Sequence, residues 1–158
     1  MNEKAKSLSL KLFSYGCYVL TSTYKEEICA STITWVSQCS FDPPMILACI
    51  KRNSMTYEVV KKSKKFNLHI LSNKQKHFAS CFFKSSKVED HKINGQEFYW
   101  DENEMPVFKD SLSVLSCTVH EILEKPDHPV FISQIEGVDL RENNDPLELR
   151  KTGWSYGG

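Results

Sequence analysis

Between Ala30 and Thr56 the chain reads ASTITWVSQCSFDPPMILACIKRNSMT, setting Ser and Thr hydroxyls, an indole, a Pro pair and a Lys-Arg-Asn-Ser turn around two strand-like stretches. Strand hydroxyls suit the polar edge of a flat ring, an indole suits its face, and a basic turn ahead of a helix suits a phosphate. The combination points to a flat aromatic phosphate ester. Taken singly, each residue has a plainer role: Trp35 as a core aromatic, and Thr32, Thr34, Ser37 and Ser40 as the solvent face of a strand.

A second candidate lies in the turn Lys125-Pro126-Asp127-His128-Pro129. The His128 imidazole can position or protonate a reacting ring near neutral pH, with Glu121 or Asp127 to orient it, or it can cap the turn. His77, His91 and His120 stand in no constellation, and His69 alternates with apolar neighbours, which predicts an outward side chain. Cys117 and His120 form a CxxH pair, but three residues apart on a strand they face opposite ways, so no metal site is expected there. The six glycines, at 16, 95, 137, 153, 157 and 158, leave no GxGxxG or Walker-type loop, and HExxH, paired CxxC and GxSxG are also missing.

Elements must position these residues, and length bounds how many domains supply them. A chain of 158 residues supports one domain spanning 1–158. Twenty Lys plus Arg balance twenty Asp plus Glu, so nothing steers the molecule toward nucleic acid or an anionic membrane, and an anion site must be local. The Lys61–Lys65 run reads as a solvated helix end rather than a nucleic-acid patch. No run reaches the length of about 18 apolar residues that a spanning helix needs, and the N-terminus lacks a secretory core; a cytoplasmic protein is expected. The six cysteines, without CxxC spacing, read as free thiols.

YGCYVLTST and ICASTITWVSQC read as adjacent strands joined at YKEE, and Phe41-Asp42-Pro43-Pro44 marks a corner before MILACIK, a strand buried on both faces. Asn53 or Ser54 caps a helix ending near Lys64 with a basic last turn. FNLHILS reads as a half-buried strand, and KQKHFASCFF puts Phe78, Cys81 and Phe82 on one helical face. Two short strands, QEFYW and MPVF, fall in the polar stretch 84–110, whose turn signal is Asn94-Gly95. SVLSCTVHEILE and PVFISQIEGVDL form two long antiparallel strands. Residues 4–14 fit a one-turn helix or an entry strand equally. Six or more strands with two or three helices favour a β-barrel with peripheral helices.

The order GCYVLT, then ASTITWVSQCSFDPPMILACIKRNSMTYEVVKKSKKFNLHIL, a late Asp-His pair and a terminal LRKTGWSYG resembles the flavin reductase-like branch of the FMN-binding split-barrel family over nearly the whole chain. The resemblance implies a mainly β fold, a six-stranded antiparallel split β-barrel of Greek-key type, that dimerises. It implies FMN, in preference to FAD, lined by Thr32, Thr34, Trp35, Val36 and Ser37, bordered by Cys49, Ile50 and Lys51. It implies a phosphate on Arg52, Asn53, Ser54 and Thr56, with a further basic contact from Lys92 and with His128 as the catalytic group. The implied activity is reduction of flavin by NADH or NADPH through hydride transfer to flavin N5. The alternative is a flavoredoxin-like electron carrier that exchanges electrons with a redox protein. Cys29 stands where many members have Asn, which would remove one polar contact to the ring.

Overall fold

The computed structural model describes residues 1–157. Along the chain run α1 (Glu3–Leu10), β1 (Tyr18–Tyr24), β2 (Glu27–Ile33), β3 (Val36–Ser40), β4 (Met45–Cys49), α2 (Met55–Ser63), β5 (Lys65–Ile70) and α3 (Lys76–Ser80). After them come β6 (Val88–Glu89), β7 (Lys92–Ile93), β8 (Gln96–Trp100), β9 (Pro106–Phe108), β10 (Ser113–Leu123), β11 (Val130–Leu140) and α4 (Leu149–Thr152). Among the described residues no helix is long and apolar enough to cross a membrane.

Seven strands form one antiparallel sheet in the order β2-β1-β5-β10-β11-β4-β3. Its two edges, β2 and β3, are joined by Thr34 and Trp35 alone. Laid flat, six gaps of about 4.8 Å would set the edges roughly 29 Å apart, whereas the three Cα steps from Ile33 to Val36 reach at most about 11 Å. The sheet must therefore coil until its edges nearly meet at a seam. The edges do not pair with each other, so the fold is mainly β and antiparallel but is an open coil of seven strands, not a closed barrel of six. The stretch read above as the single strand ICASTITWVSQC breaks at Thr34-Trp35, and its second half crosses to the far edge.

Local chemistry accounts for the joints. Lys25 at φ 56° opens a two-residue turn between β1 and β2. Ser54, not Asn53, caps α2, accepting from Tyr57 N, while Lys64 closes the helix in the left-handed conformation. Val59 and Val60 bury the inner face of that helix. β4 alternates buried Ile46 and Ala48 with half-exposed Met45, Leu47 and Cys49, so it is covered on one face rather than both. Residues 3–10 are helical, capped by Asn2 and with no side chain buried.

Two apolar clusters result. Leu20, Ile46, Phe66, Leu68 and Phe131 pack with Tyr57 and Val60 of α2. On the other face of β1, Val19 joins Ala79 and Phe82 from the α3 region and Ile93, Phe98 and Phe108 from the small sheet β6-β7-β8-β9. That second layer corrects the expectation of an outward His69, because it covers the face of β5 carrying Asn67 and His69. His69 is fully buried, its Nδ1 3.0 Å from Val19 O and its Nε2 accepting from Phe108 N at 3.0 Å. Asn67 donates to Asp101 Oδ2 at 2.8 Å. The polar positions of this strand are thus buried hydrogen-bonding partners of the segment 84–110, not a wet face.

Candidate functional site

At the seam the structure opens a cavity of about 700 Å³, within the size range of small-molecule sites. One wall is the coil's own closure. Thr34 and Trp35 are held there because Cys49 N donates to Trp35 O at 2.9 Å and Val36 N to Thr34 O at 3.1 Å, tying the crossing to the end of β4. β2 supplies Ser31, Thr32 and Ile33, and the segment after β4 supplies Cys49, Ile50 and Lys51. Asn53, Ser54, Met55 and Thr56 bring the start of α2 to the same space, and the loop after α3 brings Phe82 to Ser86. His128 enters from the turn between β10 and β11, and Trp154, Ser155 and Tyr156 from the C-terminal segment.

Of the residues nominated from sequence, the structure gathers Thr32, Thr34, Trp35, Cys49, Ile50, Lys51, Asn53, Ser54, Thr56 and His128. Four others are not part of the lining. Val36 and Ser37 lie on β3 past the seam. Lys92 is exposed on β7 beside Glu97 Oε1 at 3.5 Å. Arg52 turns away from the cavity to the turn that follows β10: its guanidinium donates to Glu124 O and, at 3.1 Å, to Pro126 O, and sits 3.4 Å from the Glu124 carboxylate. A residue in a basic turn aims according to partners seventy positions away, which no local pattern reveals. Cys29 also lies off the lining, fully buried, with burial pushing its thiol up to about 12, so it is a core group that makes no contact with the cavity.

The electrostatics of the cavity follow from this sorting. Among the described residues no Asp or Glu side chain lines it. Lys51 and Lys84 are exposed at its border, and among the described residues neither is in an ion pair. The start of α2 lines the same cavity, and its first N–H groups carry the positive end of the dipole. A chain with zero net charge has therefore placed local positive groups at this cavity. Aromatic side chains gather there too. Trp35 meets His128 with centroids 4.7 Å apart, Tyr156 at 5.6 Å and Tyr15 at 6.3 Å.

His128 is oriented from both sides. Nδ1 lies 3.0 Å from Asp127 Oδ1 and Nε2 lies 2.6 Å from the Tyr156 hydroxyl, and the imidazole is 15 % exposed. The adjacent His128 holds the Asp127 carboxyl below its ordinary range, and burial raises the Tyr156 phenol. Glu121 plays no part in this arrangement; Asp127 is the partner. Tyr156 and the loop 82–86 escaped sequence reasoning, since their roles depend on chain segments folding back over the seam. A signal for the tail did exist: three aromatic or Gly residues cluster in WSYG after a polar stretch.

The hydroxyls divide between structure and site. Thr32 Oγ1 donates to Ala79 O at 2.6 Å, Thr56 Oγ1 bonds Ser31 Oγ, and the Ser54 hydroxyl caps α2. By contrast, Thr34 Oγ1 and Trp35 Nε1 are buried without a hydrogen-bond partner among the described residues. Partnerless buried polar atoms are unusual and cost free energy, so two side by side in a cavity wall mark groups with bonds still to make. Among the described residues no three His, Cys, Asp or Glu side chains form a metal-holding group.

A family model described as a flavin reductase like domain matches residues 10–155. The NADH-dependent flavin reductase StyB of Pseudomonas fluorescens is 25% identical over 142 residues, covering 89% of this chain and 81% of its own. The reductase subunit HsaB of a flavin-dependent monooxygenase from Mycobacterium tuberculosis is 26% identical over 126 residues, 80% of this chain and 66% of that protein. Among solved structures, the flavin reductase PheA2 superposes with a TM-score of 0.76 at 26% identity, covering 94% of this chain and 92% of that one.

Proposed function

The chain belongs to the flavin reductase-like domain family, and from that premise we propose that it binds FMN at the seam and reduces it with NADH or NADPH. The observation that carries this reading is the cavity itself: among the described residues no Asp or Glu side chain lines it, and it brings aromatic rings together with unpaired lysines and the start of a helix. Thr34 and Trp35 offer unused hydrogen-bonding groups to a heteroaromatic ring, and Ile50 gives it an apolar border. Lys51, Lys84 and the first turn of α2 meet a terminal phosphate, the reason for preferring FMN.

When bound, the flavin supplies the hydride-accepting N5. This chain's residues bind and orient: Asp127 holds the imidazole of His128 beside Trp35, and Tyr156 occupies its other nitrogen until a ligand takes that place. No dinucleotide-binding loop is available, so the donor would be held mainly by stacking. Relatives include reductase components of oxygenase systems, which supports delivery of reduced flavin to a partner oxygenase. A homodimer and a cytoplasmic setting complete the proposal.

The purified protein is expected to be yellow, or to quench added FMN, and to oxidise NADH or NADPH with flavin present. Failure to bind FMN would end the proposal. FMN binding with no oxidation of either nicotinamide, together with rapid reduction by a redox protein, would replace it with the electron-carrier reading. A sharper result concerns the phosphate: Lys51→Ala with Lys84→Ala is expected to weaken FMN by about three- to tenfold more than riboflavin, as for exposed charge-assisted bonds. The gap between the two ligands should shrink in high salt. Equal losses for FMN and riboflavin would move the phosphate elsewhere.

A further inference from the structure

The C-terminal segment after α4 does more than border the cavity. Gly153 at φ 77° ends α4 and turns the chain back, and Thr152 Oγ1 takes Trp154 N at 3.0 Å. The Trp154 ring then packs edge-on against Phe83, centroids 4.7 Å apart, on the opposite rim. Beyond it, Gly157 lies so close to Trp35 that an added Cβ would stand 2.8 Å from Cζ2. Its φ of +86° is one that side-chain-bearing residues rarely adopt. Tyr156, between these two anchors, sets its ring edge-on to both Trp35 and His128 and its hydroxyl 2.6 Å from His128 Nε2.

This seat has two consequences. With Asp127 at Nδ1 and Tyr156 at Nε2, both nitrogens of His128 are engaged within the protein, so the imidazole has nothing to offer a ligand until Tyr156 leaves. The tail also lies over the indole, whose buried Nε1–H has no acceptor among the described residues. The phenol hydroxyl is directed at His128 and leaves that indole N–H unmet. An incoming planar ring with a polar edge could then bond the freed Nε2 of His128. Tyr156 is itself 44% exposed, and among the described residues its side chain makes one hydrogen bond to the body, so the ring can leave while Trp154 stays packed on Phe83.

We propose that Tyr156 is a resident stand-in for the second planar ring, and that the electron donor's nicotinamide enters by displacing it from Trp35 and His128. The inference rests on the reductase reading above and deepens it. Tyr156 thereby sets donor affinity: the donor binds more weakly than its contacts allow because it competes with a side chain of the protein.

The test compares the parent protein with Tyr156→Ala and with Gly157→Ala, which keeps the phenol but loosens its anchor on Trp35. FMN dissociation constants are measured by fluorescence quenching, NAD+ affinity as an inhibition constant, and amide hydrogen exchange of residues 154–157 is followed in the FMN-loaded parent with and without NAD+. Both variants are expected to bind NAD+ about three- to tenfold more tightly with FMN affinity changed less than twofold, and NAD+ is expected to speed exchange in the tail. Weaker NAD+ binding in Tyr156→Ala would make the tyrosine a donor contact and overturn the proposal. Equal tightening toward FMN would show that the tail competes with flavin, and unchanged NAD+ affinity or exchange would make it plain structure. FMN failing to bind the parent would remove the reductase reading itself, an outcome separate from these.

Discussion

Replacing Arg52 by Ala is expected to lower kcat/KM for nicotinamide oxidation by about tenfold to a hundredfold while leaving the ratio of FMN to riboflavin affinity unchanged. Misplacing a reacting group by about 1 Å can cost about a hundredfold, and Arg52 is placed to prevent that. Its backbone N–H binds Asp127 O at 2.9 Å, and its guanidinium reaches the carbonyls of Glu124 and Pro126. Ile50 N adds a bond to Pro129 O at 3.1 Å, so the turn carrying His128 is docked along the exit of β4. Glu124 completes the anchor, taking Lys61 Nζ at 2.8 Å and the Tyr57 hydroxyl at 2.7 Å; these donors, Lys61 foremost, hold its carboxyl below the usual range. Arg52→Lys should recover only part of the loss, since an ammonium cannot fork between two carbonyls and a carboxylate. A selective loss of FMN over riboflavin in Arg52→Ala would instead return the guanidinium to the phosphate.

His69→Ala is expected to destabilise the protein by about 3 kcal/mol, a lowering of Tm of roughly 6–12 °C for a chain of this size. The substitution leaves a cavity and orphans two backbone groups, Phe108 N–H and Val19 C=O. Burial lowers the imidazole to about 4, because Nε2 must accept from Phe108 N–H and cannot carry a proton there. The sign of the pH dependence follows. The unfolded chain takes up a proton at about 6.5, the folded one not until about 4, so stability is full above the first value and falls as pH drops through that window. The drop attributable to this group is about 3 kcal/mol. Thermal unfolding of parent and variant between pH 7 and 4 isolates it, since other titrating groups are common to both. Parallel pH profiles would show that His69 is not the source.

Much of the fold was legible because its signals are local. The Ser54 cap and the left-handed Lys64 bound α2 as its residues suggest, and the alternation from Ser113 to Leu123 and from Val130 to Leu140 yields two eleven-residue strands. The site was legible as a neighbourhood. Thr34, Trp35, Lys51, Ser54, Thr56 and His128 share one cavity, as the resemblance implied, although more than ninety residues separate the first from the last. Arg52 shows where that legibility stops, since adjacent Lys51 and Arg52 are equally basic in sequence and point to different tasks.

By itself, then, the sequence determined the class of fold, the family and a stretch of chain that lines the cavity, because turn chemistry, capping and side-chain alternation act between near neighbours. Tertiary structure decided three things that depend on distant segments meeting. Coiling of the sheet brings its two edges together at Thr34-Trp35, turning a break in a strand into the wall of a cavity. The layer built from residues 84–110 covers β5 and buries His69, since alternation says which residues share a face but not whether that face is covered. And the fold-back of the tail places Tyr156 on His128, a contact across twenty-eight residues that exists only once the tail and the turn between β10 and β11 both lie at the seam.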